Sequence, residues 1–242
     1  MRSFSNTYIF VFSLIMVTIV AVLLSFVSMS LKPRQLLNIE TEKKDNILTT
    51  VGVTGVAEGV DKNTFISDEF KKYITDSYCV DFNGNKLDAD AFEVTLNLEE
   101  ELRKPREERN YPLFVYSGDD GTRRYVVPVR GRGLWGPIWG YIALESDLNT
   151  IAGTVFDHEG ETPGLGAQIA TVPFEKEFNG KTIFNDAGEF VSIEVVKGGA
   201  DPSDKHGVDA ISGGTITSKG LQAMLSDCLS GYVAYFKELA KN

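Results

Sequence analysis

The hydrophobic pattern divides this 242-residue chain into one long apolar run and a region of short, mixed runs. No charged residue occurs from Ser3 through Leu31, and Tyr8 to Met29 is dominated by Ile, Val, Leu, Phe and Met. A bilayer core takes about 20 helical residues at 1.5 Å each, so residues 8–29 predict a single membrane-spanning helix within an anchor of residues 1–32. A cleaved signal peptide carries an apolar run of about 7–15 residues and a small-residue cleavage site. This run is longer and Ser28-Met29-Ser30 is a poor site, so the anchor reads as retained. Residues 33–60 form a connector, where Leu36, Leu37, Ile39, Ile47 and Leu48 predict a helix over Gln35 to Val51.

Residues 61–242 suffice for one globular domain. Leu98 to Asn110 is strongly charged and reads as a solvated surface segment. From Pro112 the pattern becomes strand-like: Leu113 to Tyr116 and Tyr125 to Val129, joined through Asp119-Asp120-Gly121, predict a hairpin. Further strands are expected at Ile138 to Leu144, Ile151 to Phe156 and Phe190 to Val196. Leu221, Leu225, Leu229, Val233 and Phe236 predict one helix over Ser218 to Leu239, weakened at Gly231 by about 1 kcal/mol relative to Ala. Strands do not alternate regularly with helices, which favours an α+β domain with a mixed, mainly antiparallel sheet over a doubly wound one.

The formal net charge of −10, spread along the chain, argues against nucleic acid, whose phosphates need a basic surface. Cys79 and Cys228 are the only cysteines, far apart in sequence, which disfavours zinc or iron–sulfur ligation by this chain alone and leaves a disulfide between them open. Asp81 to Lys86 has the D-x-N-x-N spacing of a calcium loop, but Lys86 replaces the Gly needed at position 6 and Phe92 the bidentate Glu at position 12. It reads as a turn. Gly131 to Gly136 is formally G-x-G-x-x-G, yet it runs into Pro137 and a β-favouring stretch where a dinucleotide fingerprint requires a helix. His158 and His206 are too few for a metal site, and no metal is expected.

Three segments carry candidate chemistry. Asp209-Ala210-Ile211-Ser212-Gly213-Gly214-Thr215-Ile216-Thr217-Ser218 presents hydroxyls beside two glycines before a helical pattern. The glycines permit φ > 0, and a helix start offers unpaired donors to an anion such as phosphate. The bland alternative is a loop with Thr217 or Ser218 capping the helix. Glu161-Thr162-Pro163-Gly164-Leu165-Gly166 reads as a rigid turn introducing a short helix, Pro163 fixing φ and the glycines allowing close backbone approach. Gly133-Leu134-Trp135 is the third. Lys197, Lys205 and Lys219 are the nearest basic residues in sequence to the first segment, and any of them could neutralise a phosphate there.

Together these segments resemble the FMN-binding domain family of covalent-flavin proteins in bacterial respiratory complexes. In that family an Asp is followed by Ser-Gly-Ala-Thr; here Asp209, Ser212 and Gly213 match, Gly214 stands where Ala is usual, and Thr215 falls on the acceptor position. The resemblance implies FMN bound covalently through a phosphoester to Thr215, with Asp209, Ser212, Gly213, Gly214, Thr217 and Ser218 around it. It also implies flavin contacts from Leu134, Trp135, Glu161, Thr162, Gly164 and Leu165, the loop's backbone donors reaching the polar edge. The general plan, with flavin motifs in residues 131–225, looks most like the NqrC proteins of the sodium-translocating NADH:quinone reductases; the covalent-flavin member of the RNF complexes shares the domain. The implied role is electron relay, not turnover. NADH would be oxidised on another polypeptide, and electrons would pass from an iron–sulfur centre through this FMN to a flavin of a membrane partner and on to ubiquinone, coupled to sodium export. Implied partners are the other members of the complex, A, B, D, E and F, and a flavin transferase that attaches FMN. The resemblance implies a single-pass protein of the inner membrane with its C-terminal domain periplasmic. Lys32, Arg34, Lys43 and Lys44 follow the span while Arg2 precedes it, which by the positive-inside rule alone would place the domain in the cytoplasm. A membrane-anchored scaffold without redox function is the rival reading from a different class.

Overall fold

The computed structural model describes residues 5–55 and 59–240. Arg2 and the connector residues 56–58 lie outside them. Helix α1 runs from Asn6 to Thr50, so the apolar run and the expected connector helix form one element, with Pro33 inside it. By length and composition α1 is a candidate membrane span, with mean hydropathy 2.9 over its most apolar window. The chain divides into two compact units, one ending at Glu42 and one spanning Lys43–Asn242.

The second unit is built on a six-stranded antiparallel sheet in the order β2-β1-β3-β4-β5-β6, made of β1 (Ile74–Val80), β2 (Lys86–Leu87), β3 (Tyr111–Ser117), β4 (Arg123–Arg132), β5 (Pro137–Leu144) and β6 (Ile151–His158). The β3–β4 hairpin turns through the expected Asp-Gly segment, with Phe114 opposite Val126 and Val115 opposite Tyr125. Side chains alternate between faces along each strand. Leu113, Val115, Tyr125, Val127, Val129, Ile138, Ile142 and Leu144 enter one core cluster, while Phe114, Tyr116, Val126, Tyr141 and Ala143 enter another. Both faces are buried, which is why these strands read as near-continuous apolar runs.

The first cluster is closed by α5 (Val172–Lys176), α6 (Thr215–Ser230) and α7 (Val233–Leu239), with Leu221, Leu225, Leu229, Tyr232 and Phe236 facing inward. The second is closed by Ile47 and Val51 and by partly buried residues of α2 (Lys62–Tyr73) and α3 (Ala91–Leu96). Cys79 belongs to the second cluster and Cys228 to the first. Both are free and buried on opposite faces of the sheet, so a disulfide between them does not form, since its two Cβ atoms must approach to about 3.8 Å.

Three expectations are corrected. The single helix over Ser218 to Leu239 begins three residues earlier and is two helices, α6 and α7, divided at Gly231 and Tyr232. A Cβ at Gly231 would run into the Tyr111 ring, so the glycine serves helix–sheet packing. The strand expected over Phe190 to Val196 shrinks to β7 (Glu194–Val196), which pairs in parallel with β8 (Gly207–Asp209). The charged segment Leu98 to Asn110 contains α4 (Leu98–Leu102), whose Leu98 and Glu101 are buried; the Glu101 carboxylate accepts from Asn110 N at 2.7 Å and from Lys104 Nζ at 2.8 Å. Partnered charges allow a polar-looking segment to pack.

Candidate functional site

The three segments meet at one end of the sheet. Gly133 to Gly136 forms the turn between β4 and β5, closed by Gly133 N donating to Gly136 O at 2.8 Å. The G-x-G-x-x-G spacing is thus followed by a hairpin strand and not by the helix that a dinucleotide fingerprint needs. The Glu161 to Gly166 loop leaves β6 and enters a 3-10 helix over Gly166–Ala170. Gly164 takes φ +76° at its crest. Helix α6 then lies against β4 so closely that a Cβ at Gly220 would strike the Arg132 carbonyl oxygen.

Between these segments opens a cavity of about 360 Å³ lined by Leu134, Trp135, Glu161, Thr162, Leu165, Gly166, Gly213, Gly214, Thr215, Ile216 and Thr217. Leu134, Trp135, Leu165 and Ile216 expose 47%, 68%, 41% and 58% of their surface, an apolar rim suited to a flat aromatic ring. Thr215 is the first residue of α6 and is exposed. Gly214 stands at the N-cap and among the described residues no side chain caps the helix, so the donors that begin every α-helix face the cavity beside the Thr215 hydroxyl. The cap expected from Thr217 or Ser218 is therefore corrected. Both lie inside the first turn and are buried; Ser218 Oγ accepts from Ile211 N at 3.1 Å, and Thr217 Oγ1 donates to Glu161 Oε2 at 2.6 Å. Glu161 is 4% exposed, and its Oε1 accepts from Trp135 N at 2.8 Å.

Of the residues singled out in the sequence, Asp209, Ser212, Gly164 and Ser218 do not line the cavity. Asp209 closes β8, where its carboxylate accepts from Ala200 N at 2.7 Å and its own N–H donates to Glu177 Oε2 at 2.9 Å. Burial pushes the Glu177 carboxyl up, against the Asp209 N–H bond that lowers it. Ser212 is exposed on the turn before α6. Leu165 N donates to Thr162 O at 3.0 Å, so that donor is spent within the loop and does not reach toward a ligand. Lys197, Lys205 and Lys219 also lie off the cavity, and Lys205 pairs with Asp186 at 3.2 Å. The donors for an anion are thus those of the α6 start. Gly166 and Ile216 are lining residues that spacing does not single out. Gly166 stands within a recognised motif, but nothing in an Ile beside a Thr reveals that it is held in the open.

His158 Nδ1 accepts from Glu161 N at 3.3 Å and His206 Nδ1 lies 2.6 Å from Thr182 O. Among the described residues no group of His, Cys, Asp and Glu side chains is placed to hold a metal ion.

A family model described as an FMN-binding domain matches residues 133–230, which contain the whole cavity lining. The C subunit of the Na(+)-translocating NADH-quinone reductase from Neisseria meningitidis serogroup B is 32% identical over 98% of this chain and 95% of its own length. The chain belongs to this NqrC family. The C subunit from Vibrio anguillarum is also 32% identical, over 84% of this chain and 82% of its own. The crystal structure of the NqrC protein from Parabacteroides distasonis superposes with a TM-score of 0.74 at 40% identity, covering 85% of this chain and 96% of that one. That of Shewanella oneidensis NqrC gives 0.67 at 30% identity, over 84% and 98%. These NqrC structures bear out the α+β fold with its antiparallel sheet. Members of the family are subunits of a larger reductase, not stand-alone enzymes.

Proposed function

We propose that this chain is an electron-relay subunit of a Na(+)-translocating NADH:quinone reductase and carries FMN covalently through a phosphoester to Thr215. The observation that carries the reading is the exposed Thr215 hydroxyl at an uncapped helix start, opening into a cavity lined by all three motif segments. The residues fit the group. Two glycines leave room at the helix start, the α6 donors face the phosphate position, and the Leu134, Trp135, Leu165 and Ile216 side chains supply an apolar seat for the ring. Bound FMN supplies the redox chemistry. The protein's residues orient it, exclude water from one face, and by the covalent link prevent its loss.

In this reading electrons arrive from an iron–sulfur centre and leave to a flavin of a membrane partner, on the way from NADH to quinone and coupled to sodium export. Its partners are the other members of the complex, A, B, D, E and F, and a flavin transferase attaches the FMN. Residues 1–32 anchor the chain in the inner membrane, 33–60 connect, and 61–242 form the flavin-carrying domain on the periplasmic side. The placement rests on the family resemblance, since the basic residues after the span point the other way.

Intact mass of the membrane-extracted chain beside its Thr215→Ala variant, both made with a flavin transferase, tests the attachment. The phosphoester replaces the hydroxyl proton, so the expected gain is FMN less water, lost in the variant. Unmodified mass in both would refute it.

A further inference from the structure

Glu161 spends both carboxylate oxygens inside the protein. Oε1 accepts from Trp135 N at 2.8 Å and Oε2 from Thr217 Oγ1 at 2.6 Å, in a residue only 4% exposed. The surrounding backbone is shaped to admit it. A Cβ at Gly133 would stand 2.5 Å from Oε1, and one at Gly166 would stand 2.6 Å from Thr217 Oγ1 and collide with Oε2. The carboxylate thus joins segments 26 and 56 residues away in sequence, at the floor of the cavity. Charge-assisted bonds of this kind are roughly twice as strong as neutral ones, and a buried carboxylate stripped of them is costly.

Successive residues of an α-helix are separated by about 100° of rotation, so Thr215 and Thr217 point roughly 200° apart. Pinning Thr217 inward therefore turns Thr215 outward, in keeping with their burial: Thr217 is 1% exposed and Thr215 is open to solvent. We infer that Glu161 is a positioning residue, a buried brace that seats the first turn of α6 and the Leu134–Trp135 turn on one loop and so aims the Thr215 hydroxyl. This role rests on Thr215 as the flavin acceptor.

The chemistry separates geometry from charge. In Glu161→Gln the amide oxygen accepts from Trp135 N while the amide nitrogen donates to Thr217 Oγ1, so both contacts survive without the charge. Glu161→Ala removes both, and Thr217→Val removes one at nearly constant volume. Two readouts are taken on the full chain in detergent: hydrogen exchange at the Trp135 amide in protein made without the transferase, and FMN loading by intact mass at equal times with it. Exchange at core amides of β4 and β5 serves as the folding control.

The expected result is Trp135 exchange faster by about tenfold or more in Glu161→Ala, with FMN loading reduced by a similar factor. Glu161→Gln should stay within about twofold of wild type in both readouts, since its pattern of bonds is retained. Thr217→Val should keep Trp135 protected and lose loading. Wild-type behaviour of Glu161→Ala in both readouts would overturn the brace. So would a Glu161→Gln variant as deficient as Ala, because charge and not position would then be at work. Should Glu161→Ala unfold, Thr217→Val decides through loading. Should wild type carry no FMN at all, the reading of Thr215 fails, and the Trp135 exchange arm still decides whether Glu161 is a brace.

Discussion

Replacing Gly220 by Ala tests how closely α6 sits on the sheet. In an isolated helix the change is stabilising by about 1 kcal/mol, because Gly is the poorer helix former. Here the added Cβ would meet the Arg132 carbonyl oxygen, with the Gly133 Cα 3.4 Å away. Neither neighbour can rotate aside, since both are backbone at the end of β4. Overpacking costs about 1–3 kcal/mol, and a backbone obstacle belongs at the upper end. Subtracting the propensity gain leaves a net loss of about 2 kcal/mol, which for a domain of this size lowers the melting temperature by about 4–8 °C. Thermal unfolding of the full chain in detergent measures it. Ser226→Ala, on the exposed side of the same helix, is the control, expected to gain a few tenths of a kcal/mol from propensity alone. If Gly220→Ala proved as stable as wild type, close backbone contact would not be what seats α6, and the site geometry derived from that contact would fall with it.

Ser192 has φ +61° and a buried hydroxyl without a hydrogen-bond partner among the described residues; Ser192→Gly, which relieves both at an entropic cost of about 0.5–1 kcal/mol, should stabilise the protein by about 1 kcal/mol in urea titration. Burial raises the Glu175 carboxyl, Phe156 N–H donation opposes this, and Asp157 repulsion adds to it. A raised folded-state value means the folded chain binds more protons. The associated stability is therefore present below the unfolded value near 4.3 and lost as pH rises through the folded one. Glu175→Gln should accordingly be more stable than wild type at pH 7 and indistinguishable at pH 4; a gain equal at both pH values would contradict the linkage. Burial pushes the Cys79 and Cys228 thiols up to about 12, so neither should react with a thiol reagent at pH 8 until denaturant is added, when both should.

Much of the sheet is legible in the sequence because its central strands carry their pattern locally. β3 to β6 are runs of Val, Ile, Leu, Phe and Tyr bounded by turn residues, and Asp119-Asp120-Gly121 sets the first hairpin. β1 is not legible. Ile74 to Val80 holds Thr75, Asp76 and Ser77, and only its last residues are buried, so pairing with β3 and not its own pattern makes it a strand. The start of α6 is hidden because Gly213 and Gly214 read as loop, while the helix begins immediately after them without a side-chain cap. At the site, the motifs locate the cavity, but the bond between Glu161 and Thr217 is tertiary and has no spacing signature.

The cavity's three walls come from the β4–β5 turn, the loop after β6 and the start of α6, and its two defining hydrogen bonds close loops of 26 and 56 residues. Contacts so distant along the chain bear a loop-closure cost that local turns do not. The pocket is therefore expected to close after the local hairpins that frame it. A nascent or misfolded chain offers Thr215 only as one threonine among many. Order of events is thus written into the topology: folding comes first, and the proposed chemistry at Thr215 becomes a mark of the finished domain.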